Sequence, residues 1–312
     1  TDFIVNEKFD YLSEQMRPQG VSSMVTIQEG CDKFCSFCVV PYTRGPEYSR
    51  SIKSISDEVK LLSQKGAKEI VFLGQNVNAY NDKSNNNDAK LSDLIRAISE
   101  FDSVKRIRYT TSHPINMDEE LIQEHKSNMK LMPFLHLPVQ SGSESILKKM
   151  NRKYDPDFYR RTIDRLKKAK PDIEISSDFI VGYPGETDQD FNDTLKLIDD
   201  IEFTQSYSFI YSSRPGTKSS TEADSTPISV KKERLLVLQE KLKKIQYSFN
   251  NEFCNKTVKV LIENQSSSNP EYFFGRTPFM QSVYIKSNDL VPGHEKDIDI
   301  TSCNHKSLYG TC

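Results

Sequence analysis

Within roughly the first 215 residues of this 312-residue chain, six short apolar runs alternate with stretches of helical spacing. Few architectures accept that alternation. It predicts βα units built around a parallel sheet. The runs are residues 24–27, 69–73, 106–110, 133–137, 174–181 and 205–211. Helices are predicted between them. One is capped by Ser56 and carries Val59, Leu61 and Leu62. Others cover residues 91–101 and 118–127, begin near Ser143, and cover residues 155–169. Pro184-Gly185-Glu186-Thr187 opens the last. The Asn-rich residues 81–88 read as a surface loop. Eight units close a barrel in about 250 residues. Six units in this length predict an open, partial α/β barrel.

A Ser/Thr/Pro-containing linker, residues 212–227, leads into a long helix. Leu235, Leu238, Leu242, Ile245 and Phe249 recur on it at spacings of three and four, which predicts a stripe packed against the barrel. From about Thr257 the texture turns to alternation, as in Val258, Val260 and Ile262, and a small β-barrel is predicted. The chain thus divides into a lead-in (1–23), a partial (βα)6 barrel (24–226), a connecting helix (227–254) and a C-terminal β-barrel (255–312). No apolar run approaches the ~20 residues of a membrane helix. Forty-two basic residues stand against 44 acidic ones, which excludes a strongly basic coat for nucleic acid but allows a local basic patch. The chain opens Thr1-Asp2-Phe3-Ile4, with no Met and no secretory pattern, and this predicts a cytoplasmic protein with further chain upstream.

Six cysteines are too few for a disulfide scaffold, and three of them share one window, Cys31-Asp32-Lys33-Phe34-Cys35-Ser36-Phe37-Cys38. That spacing points to metal. Structural zinc takes four closed ligands, so a zinc knuckle would need a fourth from Cys254, Cys303, Cys312 or a histidine. Three thiolates alone suit a 4Fe-4S cluster with one iron left open. The window follows the first predicted strand, at the barrel face where active sites are built. Cys254, Cys303 and Cys312 read as isolated, ordinary thiols.

CxxxCxxC with Phe37 before its last cysteine resembles the radical S-adenosylmethionine (SAM) superfamily. The longer run QEGCDKFCSFCVVPYTRGPEYSR (28–50) resembles its methylthiotransferases. So do LGQNVNAY (73–80), HLPVQSGSESILKKMNRKY (136–154) and DFIVGYPGETDQDF (178–191). FGRTPFMQSVYI (274–285) resembles the TRAM domain of the MiaB-type tRNA enzymes. Five blocks in order cover nearly the whole chain.

The resemblance implies a radical-SAM methylthiotransferase that installs a methylthio group at carbon 2 of N6-isopentenyl-adenosine beside the anticodon. Cys31, Cys35 and Cys38 carry over as ligands of the 4Fe-4S cluster, with SAM on the open iron. Phe37 would shield the cluster near the adenine of SAM. Gly74, Gln75 and Asn76 stand where the superfamily binds the SAM amino group, though Gln75 replaces a usual glycine. Gln140 and Ser141 would bind ribose or carboxylate, with Ser141 or Ser143 as a helix cap in the bland reading. Asp178 would contact SAM or the reacting base, or simply cap a turn, and Gly182 would let backbone approach closely. Glu186 reads as a helix acid, and His113 and His136 as structural.

The partner implied is a tRNA anticodon stem-loop, with an electron donor such as flavodoxin or ferredoxin, no membrane, and a monomeric enzyme. Residues 148–170 hold ten basic residues against three acidic ones, with Tyr154 and Tyr159 interleaved, whereas residues 172–202 hold ten acidic against one basic. The basic segment reads either as a solvated face or as a phosphate-binding patch. The candidate RNA contacts are Arg44, Arg50, Arg152, Lys153, Phe274 and Arg276, with Phe273 and Phe279 near the last two. The family carries an N-terminal domain holding a second, sulfur-delivering cluster, and nothing here matches it. The chain alone is therefore expected to bind one cluster and cleave SAM without completing methylthiolation. The other readings are a ribosomal-protein methylthiotransferase and a non-catalytic, zinc-containing RNA-binding protein.

Overall fold

The computed structural model describes residues 20–84, 88–267 and 269–312. Most of the lead-in and part of the Asn-rich stretch lie outside the described residues. Strands Ser22–Thr26, Glu69–Leu73 and Arg106–Tyr109 pair in parallel, in that order. A bridge from Ile107 to Leu131 carries the layer onward to Phe134–His136, which pairs in parallel with Glu174–Ser176. Asp178–Val181 pairs in parallel with Tyr207–Ile210. The result is the open, curved parallel layer that the alternation predicts, with helices on its outer side.

Local chemistry moved some boundaries. Ser51, not Ser56, caps the helix Ile52–Gln64: its backbone is extended and its hydroxyl accepts from the Ser54 amide at 3.2 Å. Ser56 lies inside the helix. The Asn-rich stretch is flanked by pairing, since Asn81–Asp82 runs antiparallel to Ala89–Lys90. The long run 174–181 is broken at Ser177, whose hydroxyl accepts from the Val139 amide at 2.9 Å. Its first half serves one neighbouring strand and its second half another, which lets the layer curve.

Side chains alternate across the layer. Ile70, Phe72, Ile107, Tyr109, Leu135, Ile175, Phe179 and Val181 face the helices and join one continuous core. Each such aliphatic or aromatic side chain contributes about 1.5–3 kcal/mol on full burial. The residues between them line the concave inner face. They are Met24, Glu69, Val71, Arg106, Arg108, His136, Ser176, Asp178, Ile180, Tyr207 and Phe209.

The long helix Ile228–Asn251 buries Leu238 and Leu242 in the barrel core, with Leu235 and Ile245 at its margin. Phe249 leaves the stripe and meets Phe253 and Phe279, with ring centroids 5.2 and 6.1 Å away. The helix thus ties the two barrels together. Five strands close the second barrel, in the order Thr257–Gln265, Tyr272–Arg276, Ser282–Lys286, Ser307–Thr311 and Glu295–Cys303. It docks on the inner face of the first barrel. Arg106 donates to Glu295 and to the Arg276 carbonyl, each at 2.8 Å. Arg108 donates to Glu69 and to the Pro278 carbonyl at 2.8 Å, and to the Thr277 carbonyl at 3.0 Å.

Candidate functional site

The cysteine window sits on a loop closed at its base. Gln28–Glu29 pairs antiparallel with Tyr48–Ser49. Gln28 is fully buried, and its Oε1 accepts from the amides of Gln75 and Asn76 at 2.9 and 3.0 Å. Gln75 Oε1 in turn accepts from the Gly30 amide at 2.8 Å. The turn after one strand therefore holds the loop after another. Gly30 has φ +76°, and a Cβ there would come within 1.9 Å of the Pro46 carbonyl oxygen, so the loop closes only over glycine.

The far side of the loop is held as well. Asn151 Nδ2 donates to the Phe34 carbonyl at 2.8 Å, and the Ser36 amide donates to the Met150 carbonyl at 2.9 Å. Phe37 packs on Ile146, Met150 and Tyr183. Phe34, Thr111 and Gln140 all have left-handed backbones, with φ of 48°, 61° and 75°. Each follows the carboxyl end of a strand. Strain of that kind persists where surroundings over-determine it, and it gathers at functional sites.

The donor set fits an iron–sulfur cluster. Three thiols share one loop, and the guanidinium of buried Arg152 lies with Nη1 3.4 Å from Cys35 Sγ. Burial pushes the Cys31 thiol up to about 11 and raises that of Cys38. Among the described residues, no three His, Cys, Asp or Glu side chains stand as close together as a single metal ion requires. Cys254 and Cys303 are not isolated thiols: burial, with Cys254 beside it, pushes the Cys303 thiol up to about 11 where the long helix meets the second barrel.

The structure places the other predicted residues as follows. Gly74, Gln75 and Asn76 adjoin the cysteine loop. Asn76 is buried, its Nδ2 donates to Glu47 at 2.8 Å, and its Oδ1 has no partner among the described residues. Gln140 bridges to Phe179 at the strand ends. Ser141 is turned away from the site. Its hydroxyl meets Thr194 Oγ1 at 3.2 Å and accepts from the Ser143 amide at 3.2 Å, while Ser143 caps the next helix. Gly182 has φ +67° beside Lys231. Glu186 is buried and accepts from the Gly182 amide at 2.8 Å and from Arg234 at 2.7 Å, so it braces the long helix rather than opening the helix that Thr187 caps. His113 is structural: burial lowers its pKa to about 2, and its backbone amide donates to Asn78 at 2.8 Å. His136 lies on the inner face of the layer, with Nε2 3.4 Å from Asp178 Oδ2.

Two RNA candidates are overturned. Arg50 is buried, donates to the Thr26 carbonyl at 2.7 Å and pairs with Glu58 at 2.7 Å. Arg152 is buried against Cys35, Tyr154 and the Pro138 carbonyl. Arg152 lies in the basic stretch 148–170, and sequence alone says nothing about which side chains turn inward. Arg276 pairs with Glu263 at 2.6 Å and stacks over Phe274, so its charge is partly spent inside the domain. Arg44 and Lys153 are exposed.

A family model described as the radical SAM superfamily matches residues 25–198. A curated relative from Rickettsia bellii (strain RML369-C), named tRNA-2-methylthio-N(6)-dimethylallyladenosine synthase, is 51% identical over 311 residues. The match covers 99% of this chain and 70% of that relative. A relative of the same name from Rickettsia conorii (strain ATCC VR-613 / Malish 7) is 50% identical over the same shares. The chain belongs to this radical-SAM methylthiotransferase family. Radical-SAM structures share the fold at low identity. Coproporphyrinogen III oxidase (HemN) from Escherichia coli aligns with a TM-score of 0.56 at 15% identity, covering 84% of this chain and 68% of that one. The radical SAM methyltransferase TsrM from Kitasatospora setae aligns with a TM-score of 0.53 at 18% identity, covering 64% of this chain and 39% of that one.

Proposed function

We propose that this chain is a radical-SAM tRNA methylthiotransferase acting at carbon 2 of N6-isopentenyl-adenosine beside the anticodon. The observation that carries the reading is the Cys31–Cys35–Cys38 loop at the carboxyl end of the first barrel strand, in a chain half identical to synthases of that name. Cys31, Cys35 and Cys38 hold a 4Fe-4S cluster. When bound, the cluster and SAM supply a carbon-centred radical able to take hydrogen from an unactivated C–H bond. The chain's own residues set the stage. Gln28, Gly30 and Gln75 fix the loop, Arg152 faces the Cys35 sulfur, and Phe37 covers one side. The inner face of the barrel receives the base. An anticodon loop suits such a site because its bases can be splayed out of the stack.

The RNA backbone is held by charge. Lys148, Lys153, Arg161 and Lys168 are exposed on one basic stretch. Arg160 and Arg165 lie on the same stretch but pair with Asp200 and Glu119 at 2.8 and 2.6 Å. The reading includes a cytoplasmic, monomeric enzyme and a flavodoxin or ferredoxin as donor. No helix among the described residues is long and apolar enough to cross a membrane.

Anaerobic reconstitution with iron and sulfide tests the reading. The expected result is a brown protein that releases 5′-deoxyadenosine from SAM with a reductant and binds a prenylated anticodon stem-loop. A colourless protein carrying one zinc and releasing no 5′-deoxyadenosine would overturn it.

A further inference from the structure

A chain of polar contacts crosses the inner face of the barrel without touching the cysteine loop. His136 Nε2 lies 3.4 Å from Asp178 Oδ2, and its Nδ1 lies 3.0 Å from Ser176 Oγ. Ser176 donates to the Gln205 carbonyl at 2.8 Å. The Gln205 side chain donates to the Phe279 carbonyl at 2.7 Å. The seat of the second barrel is thus linked to a carboxylate inside the first.

The surroundings of that carboxylate are apolar and open. Tyr207 is the strand partner of Asp178, and Phe209 is the partner of Ile180. Tyr207 also meets the His136 ring edge-on, with centroids 6.4 Å apart. Met24, Tyr207 and Phe209 are 65%, 60% and 54% exposed, although all three point to the inner face. Ile180 and Phe37 both pack against the Ile146, Met150 and Tyr183 cluster beside the cysteine loop. Asp178 is two residues before it, which at about 3.3 Å per residue puts the carboxylate roughly 7 Å deeper.

We propose that Asp178 is the group that reads the substrate base, accepting the single N–H that N6 keeps after prenylation. His136 is its positioning residue, and Tyr207, Phe209 and Met24 receive the prenyl arm. This rests on the substrate reading above. An ionised carboxylate only accepts, so it suits a donor edge. With its proton given to the Gln205 carbonyl, Ser176 accepts from His136 Nδ1–H, and the doubly protonated imidazole then has Nε2–H to turn toward the carboxylate. A site built around one hydrogen bond rejects a ligand lacking it more strongly than an apolar pocket rejects a change of shape.

The test uses the full reconstituted chain and two labelled anticodon stem-loops. One carries N6-isopentenyl-adenosine. The other carries the same prenyl arm through an ether oxygen on carbon 6, which removes the N–H. Fluorescence anisotropy should show the ether bound about ten- to a hundredfold more weakly by the unmodified protein. Asp178→Ala should bind the two within a few-fold of each other. His136→Ala should lose part of the preference, and His136→Gln, which still donates toward Asp178, should restore some of it. Equal binding of both stem-loops by the unmodified protein overturns the proposal, and that comparison needs no folded variant. A preference that survives Asp178→Ala also overturns it, and loss of SAM affinity in that variant would reassign Asp178 to the cofactor. If the unmodified protein binds neither stem-loop, the substrate reading itself falls.

Discussion

Nη1 of Arg152 lies 3.4 Å from Sγ of Cys35. The other edges of the guanidinium are fixed by the Tyr154 hydroxyl at 2.8 Å and the Pro138 carbonyl at 2.7 Å. A buried cation against a cluster sulfur favours the more negative, reduced cluster, and hydrogen bonds to sulfur tune potential in the same direction. Arg152→Met is therefore expected to move the cluster midpoint to a more negative value, and Arg152→Lys by less. A redox titration followed by electron paramagnetic resonance reads this directly. An unchanged midpoint in Arg152→Met would reduce Arg152 to a packing residue.

Arg108 and Glu69 are a buried pair at the seam between the two barrels, 2.8 Å apart. Removing one partner strands the other charge. Arg108→Met should cost about 3–5 kcal/mol of folding stability, measured by urea unfolding.

The same pair predicts a pH dependence. Burial alone would raise the Glu69 carboxyl, but the Arg108 charge and hydrogen bond outweigh burial and hold it below its usual range. A depressed folded value contributes stability above the unfolded carboxyl value of about 4.3. That contribution is lost as pH falls through the folded value. The acid-side loss of stability should be shallower in Arg108→Met than in the unmodified protein, read from denaturant midpoints across that range.

Gly30→Ala places a methyl group against the Pro46 carbonyl oxygen at a left-handed backbone position. The strain alone is of order 1–3 kcal/mol. The loop should shift and iron incorporation should fall, measured as iron per chain after reconstitution. The double variant Cys254→Ser/Cys303→Ser should keep full iron content, since that pair sits at the helix–barrel junction.

Lys153 and Arg161 are exposed on the basic stretch. If both meet phosphate, replacing them with alanine should weaken stem-loop binding and reduce the slope of log K against log salt by about two. Binding measured across a salt series checks this.

The βα alternation, the three-cysteine window and the second barrel were all legible in the sequence, because each depends on local spacing: period two, period 3.6, or ligands within eight residues. Helix caps were partly legible. Ser143 and Thr187 act where short-range chemistry puts them, while Ser51 displaced Ser56 because the extended backbone ends there. Side-chain direction across the barrel was not legible. Arg50 and Arg152 read as RNA contacts in sequence and turn inward in the fold, and Ser141 spends its hydroxyl on a neighbouring helix. His136 looks structural, yet strand register puts it on the inner face with Asp178, a residue 42 positions later. Local spacing alone specifies the elements and the three-cysteine loop. Which polar groups line the inner face is set by the fold, because a strand's inner and outer faces are assigned by pairing between segments far apart in the chain.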